Sequence, residues 1–340
     1  MFVFVVGKRM KILIVSGFLG AGKTTFIKEL VRRSGTRPVI MENEYGQNDL
    51  DAEELKQSLP EKKEIKILEF MEGCVCCTMK DSFVNSVMTI YCGLEPEYLV
   101  VEPTGVGRLG SIIKNLQPLI NDKISLLKPV VVMAPQSFAS NMAQYPSLYT
   151  DQIANASVIV FSKAEKEDSA FFEDAVAKVR EINPSAEIIA NHYSQQPDNW
   201  WKDLMEVSTE ATEAQEVSGL SGNETFSQLS LQKASLHSPS ELVVLLEDCL
   251  RGQFGCIARA KGVLPIGNEM IRFDLADRKY AITGSPDTKC QVVFIGTDLD
   301  VQALCRRLGT SPDHEEISLS FTQRRREADR RAFSRILRRS

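Results

Sequence analysis

Apolar runs that favour β-strands alternate with helical patterns from Lys11 to Ala190. Helices are predicted from Thr24 and after Thr78, with the strand-like runs between them. Because nearly every position of these runs is apolar, we expect the strands to be buried on both faces. The pattern therefore predicts an α/β fold, with a mainly parallel sheet and helices on both faces. The runs are KILIVSG, PVIMENE, IKILEF, YLVVEP, PVVVMA and SVIVFS.

The chain changes character after residue 206. Residues 207–235 are rich in Ser, Thr, Glu, Gln and Asn, which predicts a polar linker. Beyond it, a helical pattern at 239–253 precedes four strand-like runs and a second helical pattern at 299–308, so we expect a smaller C-terminal α+β domain. The predicted organisation is an N-terminal extension at 1–9, a first domain at 10–206, a linker at 207–235, a second domain at 236–310 and an arginine-rich tail at 311–340.

Bulk composition narrows the class of protein. The chain has 340 residues, of which 43% are apolar and 25% charged, as in soluble globular proteins. A formal charge of −5 offers no field that would attract nucleic acid or anionic lipid, so neither partner is expected. Lys8 and Arg9 interrupt the apolar start, and no uncharged run approaches the roughly 18 residues of a membrane helix, so we expect no export signal and no membrane span. Closely spaced cysteines suit reduced thiols or a metal site, which predicts a cytoplasmic protein.

A glycine-rich loop separates the first strand from the first helix. The segment GFLGAGKT, which ends at Thr24, has the spacing G-x-x-x-x-G-K-[ST]. Glycines let backbone N–H groups turn inward around a phosphate, and the helix N-terminus adds positive charge. Lys23 is predicted to bridge the β and γ phosphates, Thr24 to bind Mg²⁺ and Thr25 to support the α phosphate. The motif predicts a P-loop NTPase-type sheet whose phosphate-binding backbone includes Gly17, Gly20, Ala21 and Gly22.

A second acidic element follows the strand YLVV. It has the sequence Glu-Pro-Thr-Gly and runs from Glu102 to Gly105. An acid at the end of a buried strand beside a phosphate loop acts on Mg²⁺ or on its water, and Gly105 is predicted to offer a backbone N–H to the γ phosphate. We therefore predict Lys23, Thr24 and Glu102 as the catalytic set, with Thr24 and Glu102 at the Mg²⁺ ion.

Three cysteines follow the strand IKILEF. Cys74, Cys76 and Cys77 have the spacing C-x-C-C and precede a predicted helix, so they belong to the sheet edge where the phosphates are expected. Helix N-termini and cations favour the thiolate, which binds soft or borderline metals. Three sulfurs leave one tetrahedral position open, which suits a metal that must be released. Buried thiols without a metal and a redox dithiol are the alternatives.

Four motifs along the first domain resemble those of one family. GFLGAGKTT, ENEYG, GCVCC and EPTG occur here in the order found in the CobW-like metallochaperone GTPases. ARAKGVL and VVFIGTDLD are similar to the C-terminal domain of that family, so the resemblance covers residues 10–308. It implies a Mg²⁺-dependent GTPase that binds zinc or cobalt at the C-x-C-C loop and couples nucleotide state to metal delivery to a client protein. It also implies that Cys74, Cys76 and Cys77 are metal ligands, and that Glu42 or Glu44 approaches the metal or Mg²⁺.

Three features depart from the pattern of that family. Ser162-Lys163-Ala164-Glu165 stands where a guanine-binding N/T-K-x-D motif is expected. A carboxylate accepts two N–H groups of guanine that adenine does not offer, so Ser162, Lys163 and Glu165 are predicted to hold the base of GTP, with ATP as the alternative. Ala134 replaces an Asp at the end of PVVVMA. The three histidines form no cluster, and each is predicted to be structural or solvated.

Two functions are compatible with these features. The first is a slow GTPase that delivers metal to a client metalloprotein or a corrinoid-dependent protein. The second is a nucleotide-binding metal buffer or assembly factor with little hydrolysis. A small-molecule kinase would explain the phosphate loop but not three thiols beside it. Zinc versus cobalt, the identity of the client and a homodimer all stay open, and the tail at 311–340 is predicted to be a solvated charged surface, with RNA or an acidic client as the alternative.

Overall fold

Two sheets, each with its own core, make up the described part of the chain. A computed structural model describes residues 9–43, 66–70, 80–167, 169–209, 214, 225–310 and 317–318. The chain divides into two compact units between residues 223 and 224. Each unit has its own apolar cluster, as expected for a chain longer than one core can serve. The predicted α/β unit and the smaller α+β unit are therefore confirmed.

The first unit is built on one parallel sheet. Its described strands are β1 (Met10–Ser16), β2 (Val39–Asn43), β3 (Ile67–Phe70), β4 (Tyr98–Glu102), β5 (Ile124–Leu126), β6 (Val130–Met133), β7 (Val158–Phe161) and β8 (Glu187–His192). They lie in the order β3-β2-β4-β1-β6-β7-β8, with β5 paired to the first residues of β1. Because the pairings are parallel, the carboxyl ends of the strands meet at one edge.

Helices cover both faces of this sheet. The described helices of the unit are α1 (Lys23–Ser34), α2 (Lys80–Leu94), α3 (Leu109–Leu116), α4 (Pro135–Gln144), α5 (Pro146–Ala154), α6 (Glu173–Ile182) and α7 (Asp198–Asp203). Leu13 of β1 packs in one cluster with Phe26 of α1 and Trp201 of α7. Ile12 and Ile14, on the opposite face of the same strand, are also fully buried, so the sheet is covered on both sides.

The second unit is an antiparallel sheet with helices on one face. Its described strands are β9 (Phe226–Leu231), β10 (Cys256–Ile266), β11 (Glu269–Ala276), β12 (Lys279–Gly284), β13 (Gln291–Thr297) and β14 (Ile317–Ser318), and its described helices are α8 (Pro239–Leu250) and α9 (Val301–Arg307). The strand order is β12-β11-β10-β13-β9-β14. Leu242 of α8 and Leu304 of α9 share a core cluster with Phe294 of β13, which joins both helices to the same face. Across the described helices of both units, none is long and apolar enough to span a membrane.

One predicted segment differs from the structure. Strand β9 lies inside the predicted linker at 207–235 and pairs with β13, so the end of that segment belongs to the second sheet. The run FSQLSL is polar in composition, but its Leu229 and Leu231 alternate with polar residues and enter the core. The linker prediction is wrong for this part. The other predicted boundaries stay predictions.

The burial of Trp201 allows the core of the first unit to be tested. Trp201 is the largest fully buried side chain, and its ring lies 5.2 Å from that of Phe26 and 5.9 Å from that of Tyr193. Removing the indole would leave a cavity among these rings. We therefore expect Trp201→Ala to lower the free energy of unfolding by about 3–5 kcal/mol, measured by urea denaturation and circular dichroism.

Trp200→Ala is the matched control. Trp200 is only partly buried, and its Nε1 donates to Glu187 Oε1 at 3.1 Å. Less apolar surface returns to water when it is truncated, so the loss should be clearly smaller. Equal losses for the two variants would contradict the core described here.

Candidate nucleotide and metal site

The phosphate loop turns sharply against the neighbouring strand β6. Gly17 has a φ of 144°, and a Cβ there would lie 2.2 Å from the carbonyl oxygen of Val132. Gly20 and Gly22 have φ values of 72° and 90°, in the left-handed region that glycine adopts without strain. The glycines predicted to let the backbone curl therefore occupy positions where a side chain would be strained.

The N-terminus of α1 opens onto this loop. Gly22 is its N-cap, and within this described helix the first turn has no side-chain cap and no acidic residue. The first-turn N–H groups and the helix dipole therefore favour an anion. Lys23 is buried and its Nζ donates to the carbonyl oxygen of Phe18 at 3.3 Å, so the ammonium lies over the loop. Thr25 is exposed in the same turn.

Thr24 and Glu102 meet although 78 positions separate them in the sequence. Thr24 Oγ1 donates to Glu102 Oε1 at 3.1 Å and lies 3.3 Å from Oε2. The first turn of α1 carries the threonine, and the carboxyl end of β4, beside β1, carries the glutamate. A hydroxyl and a carboxylate are oxygen ligands of the kind that Mg²⁺ prefers. These two residues therefore fit the predicted Mg²⁺ ion.

Glu42 lies beside Glu102 on the next strand. The two are paired in register on β2 and β4, and Glu42 is also paired with Glu69 on β3. Residues paired in register on adjacent strands lie on the same face, with the strands about 4.8 Å apart. Glu42 is buried, with 5% of its surface exposed. Acidic positions thus follow one another across three strands at the edge that carries the phosphate loop.

The loop after β4 presses against the phosphate loop. A Cβ on Gly105 would lie 2.4 Å from the backbone nitrogen of Leu19. Thr104 closes the turn, since its Oγ1 accepts the N–H of Val106 at 3.2 Å and its carbonyl oxygen accepts the N–H of Gly107 at 2.8 Å. Only glycine permits this approach at position 105. Because the two loops are in contact, a shift of either loop must displace the other.

Helix α5 holds the loop after β4 from the other side. The fully buried Gln152 donates from Nε2 to the carbonyl oxygens of Gly105, at 3.4 Å, and Gly107, at 3.3 Å. The neighbouring Asp151 accepts the N–H of Gly110 at 3.2 Å in the first turn of α3, and burial raises the pKa of its carboxyl. Sequence reasoning missed both residues, because their contacts join segments more than 40 positions apart and follow no short motif.

The same region of the chain supports the phosphate loop through aromatic rings. Phe18 of the loop lies 5.0 Å from the ring of Tyr145, which precedes α5, and 5.5 Å from the ring of Tyr149 within it. Aromatic pairs at such distances stabilise each other beyond their burial. The aromatic residue of GFLGAGKT therefore anchors the loop to α5.

Ser162 ties the end of β7 to the phosphate loop. Its Oγ donates to the carbonyl oxygen of Ala21 at 2.5 Å. Lys163 follows in the left-handed region with a φ of 59°, and its carbonyl oxygen accepts from Gln136 Nε2 at 2.5 Å. Gln136 lies two positions after Ala134, where the family pattern has Asp, so an amide makes a polar contact in that neighbourhood.

Glu165 extends from the same loop. Its side chain is 65% exposed, and its Oε1 lies 3.5 Å from Nε2 of the buried His192 at the end of β8. Burial lowers the pKa of the His192 imidazole, an effect that the nearby Glu165 opposes. One side of the carboxylate is thus open to a ligand, and the other faces a buried ring that the sequence predicted only as structural or solvated.

The predicted sulfur ligands Cys74, Cys76 and Cys77 lie outside the described residues, as does Glu44. Within the described ranges, His, Cys, Asp and Glu side chains form no group of three that would hold a metal ion. Glu42 is therefore the predicted zinc or cobalt ligand whose position the structure describes.

A phosphate cradle between a parallel strand and the helix after it, with a hydroxyl and a carboxylate beside it, defines the class of P-loop nucleotide-binding proteins. Residues 11–190 match the CobW/HypB/UreG nucleotide-binding domain, and residues 226–311 match the cobalamin synthesis protein cobW C-terminal domain. The chain belongs to the CobW/HypB/UreG family. The resemblance inferred from the four motifs is confirmed.

Named relatives align with part of the chain. The zinc chaperone CobW of Pseudomonas aeruginosa is 26% identical over 200 residues, which cover 51% of this chain and 52% of that protein. The zinc chaperone YeiR of Escherichia coli is 28% identical over 156 residues, which cover 45% and 46%. The chain thus spans about half the length of these curated relatives. The Zn(II)-bound YjiA GTPase from Escherichia coli aligns with 89% of this chain and 98% of its own, at 16% identity and a TM-score of 0.43.

The contact between the phosphate loop and the loop after β4 can be tested at Gly105. An added Cβ would meet the Leu19 backbone at 2.4 Å, which no side-chain rotation can relieve. Gly105→Ala should therefore lower the free energy of unfolding by about 1–3 kcal/mol, the usual cost of overpacking, measured by thermal denaturation.

Gly93→Ala is the control for Gly105→Ala. Gly93 lies in α2, where an added Cβ would meet nothing within 4 Å. Because alanine favours the helix, this variant should be unchanged or more stable by up to about 1 kcal/mol. If Gly105→Ala were as stable as Gly93→Ala, the tight contact between the loops would be wrong.

Proposed function

We propose that this chain is a Mg²⁺-dependent metallochaperone that binds and hydrolyses GTP and delivers zinc or cobalt to a client protein. The observation that carries this proposal is the contact of Thr24 with Glu102, whose strand is paired in register with Glu42. The contact joins the phosphate loop to β4, and β2 with Glu42 lies between β4 and β3, after which the cysteine motif follows in the sequence.

The nucleotide step depends on positioning and charge. Backbone N–H groups of the phosphate loop surround the β and γ phosphates, and Lys23 neutralises charge that develops on transfer. Mg²⁺, when bound at Thr24 and Glu102, supplies further positive charge to the same phosphate oxygens. The N–H of Gly105 is the proposed donor to the γ phosphate, and its contact with Leu19 sets where that donor lies. We propose a slow intrinsic rate, which a client protein raises.

Guanine is the proposed base. The exposed Glu165 carboxylate offers two acceptor oxygens for N1–H and N2–H of guanine, a donor pair that adenine lacks. Lys163 is proposed to cover the base, and the bond from Ser162 to the phosphate loop sets the distance between base and phosphates. The glutamate reaches one methylene further than the aspartate of the family pattern, so its conformation decides how strongly GTP is preferred.

The metal is proposed as cargo held by Cys74, Cys76, Cys77 and Glu42. Cys74 follows the last residue of β3 by four positions, and four residues extend at most about 14 Å. β3 pairs with β2, which carries Glu42, so covalent geometry permits Cys74 to reach the same ion as this carboxylate. Three thiolates and one carboxylate suit zinc or cobalt. The names of the relatives, which are zinc chaperones, favour zinc.

Nucleotide and metal are proposed to act on each other through β2 and β4. Loss of the γ phosphate removes a contact to the loop that follows Glu102, and Glu102 neighbours Glu42. Because coupling between two binding sites is reciprocal, metal must change nucleotide affinity by the factor with which nucleotide changes metal affinity. The client, a metalloprotein or corrinoid-dependent protein, would receive the metal when hydrolysis weakens its site.

The role of Lys23 can be measured directly. Lys23→Ala removes the ammonium that lies over the loop and should reduce GTP hydrolysis by at least about 100-fold, because charge neutralisation dominates this chemistry. Steady-state phosphate release measures the rate, and circular dichroism checks the fold. Lys28→Ala, on the same helix α1 and away from the loop, should retain the rate. Full hydrolysis by Lys23→Ala would refute the phosphate-loop assignment.

Coupling is tested by metal affinity in defined nucleotide states. Zinc and cobalt binding to reduced protein, measured by competition with a chromophoric chelator, should shift by about 1 kcal/mol or more when Mg²⁺ and a non-hydrolysable GTP analogue are added, and less with the ATP analogue. Cys76→Ser should lower the metal stoichiometry, whereas Cys92→Ser, at an exposed thiol in α2, should not.

The outcomes separate the two functions. A nucleotide-dependent metal affinity with turnover supports the metallochaperone. Metal binding that is equal in every nucleotide state, with little turnover, supports the buffer or assembly factor, which the replacement of Asp by Glu165 favours. Unchanged metal binding in Cys76→Ser would contradict the cysteine site.

A further inference from the structure

The carboxyl ends of β7 and β8 bring His192 close to Glu165. In the pairing of these strands Val160 lies opposite Ile189, and the next residue, Phe161, lies opposite His192. One step along β7 thus corresponds to three along β8, and such a bulge re-aims the side chain that follows it. His192 Nε2 comes to 3.5 Å from Glu165 Oε1.

The hydrogen bonds of His192 define its tautomer. Its Nδ1 accepts the backbone N–H of Ser194 at 3.3 Å and lies 2.8 Å from the Ser194 hydroxyl. A ring nitrogen that accepts a backbone N–H carries no proton, and burial lowers the pKa of this imidazole, so the ring is neutral with its proton on Nε2. The nitrogen that faces Glu165 is therefore a donor.

This donor is buried. His192 is 3% exposed, and among the described residues Nε2 has no hydrogen-bond partner at ordinary distance. A buried N–H without an acceptor is unfavourable, and a charged carboxylate is the strongest acceptor that a side chain provides. A small rotation of the exposed Glu165 side chain would close the gap of 3.5 Å.

The imidazole is also fixed in place. Its ring lies 4.3 Å from the ring of Tyr193, which in turn contacts Phe26 of α1 and Trp201 of α7. These rings belong to the main core of the first unit. His192 therefore presents its N–H from a packed group of rings, whereas the Glu165 side chain is 65% exposed.

Glu165 needs such a donor more than an aspartate would. Its additional rotatable bond gives the carboxylate more orientations, and this freedom must be lost before both oxygens accept N–H groups of a base. We propose that His192 is a positioning residue for guanine recognition, whose Nε2–H holds the Glu165 carboxylate toward the base. The inference rests on the proposed binding of GTP.

Two substitutions of His192 separate the proposed positioning of Glu165 from the structural role of Nδ1, which accepts the Ser194 N–H. His192→Asn retains an acceptor near Nδ1 for the Ser194 N–H but has no donor at the Nε2 position. His192→Gln offers an amide N–H near Nε2 and loses the acceptor near Nδ1. A merely structural role predicts that the Asn variant is the milder one, and the positioning role predicts the reverse for guanine selectivity.

The measurement is the ratio of affinities for GDP and inosine diphosphate, by competition with a fluorescent GDP analogue in Mg²⁺. Inosine lacks the N2 amine, so the ratio reports the second N–H contact with Glu165. His192→Asn should lower the ratio by about tenfold, the scale of one hydrogen bond to a charged group, and His192→Gln should stay within about threefold of the unchanged protein. Affinity for inosine diphosphate should fall less than affinity for GDP, because inosine retains the N1–H donor but lacks the second contact with Glu165.

A second test adds His192→Asn to a protein that already carries Glu165→Asp. In Glu165→Asp the carboxylate is one methylene shorter and withdraws from His192. If positioning is the role of His192, adding His192→Asn to this background should change the ratio by less than about twofold. An undiminished tenfold effect there would overturn the inference.

Different results would overturn the role of His192 and the proposed binding of GTP. If the unchanged protein does not prefer GDP, and Glu165→Ala alters nothing, guanine binding at Glu165 is wrong and the proposed function loses its base. If Glu165→Ala abolishes the preference while His192→Asn leaves it intact, or if His192→Gln lowers it as much as His192→Asn, only the role of His192 is overturned.

Discussion

Close backbone approach at the carboxyl edge of the first sheet is the constraint on which the nucleotide site depends. Gly17 lies against Val132 of β6 and Gly105 lies against Leu19, with no room for a Cβ at either place. The phosphate loop is therefore held from two neighbouring segments and does not owe its shape to its own sequence alone. A change of side-chain rotamer cannot relieve such contacts, because they are between main-chain atoms. The phosphate loop and the loop after β4 therefore keep their geometry only as a pair. Gln152 strengthens this arrangement by binding the carbonyl oxygens of the loop after β4.

Local patterns suffice to predict the phosphate loop and most of the strands, because motif, preceding strand and following helix occupy one stretch of chain. The pairing of Glu42 with Glu102 does not follow from such patterns, since it depends on the strand order β3-β2-β4-β1. The contact of Gln152 with Gly105 spans 47 positions and has no local signal. Strand β9 was missed for a different reason: its polar composition outweighed an alternation of only two buried leucines.

At the carboxyl ends of β7 and β8, where the base is proposed to bind, a single residue shows the same limit of prediction from local patterns. A lone histidine in a sequence is most simply a structural or solvated residue, and His192 is indeed buried and caps a short turn through Nδ1. Its distance to Glu165 arises from a bulge in β8 that shifts the pairing with β7, which is a property of two strands together. A sequence pattern at either strand does not contain it. The physical signal is the buried Nε2 beside an exposed carboxylate, an arrangement that exists only in the folded chain.

Strand order also separates the proposed functions in space. The phosphate loop follows the central strand β1; β4, β2 and β3 extend to one side with Glu102 and Glu42, and β6, β7 and β8 extend to the other with Ser162 and His192. Within the sheet, β1 and the phosphate loop lie between the strands proposed to bind the base and the strands proposed to bind the metal. In the proposed mechanism, nucleotide state acts on the metal because the γ phosphate would contact the shared loop, whereas base identity would act only through how tightly the nucleotide binds. Under this proposal, a glutamate in place of the usual aspartate would alter selectivity for the base and leave the link between phosphate and metal intact, so divergence at Ser162 to Glu165 is compatible with the proposed coupling.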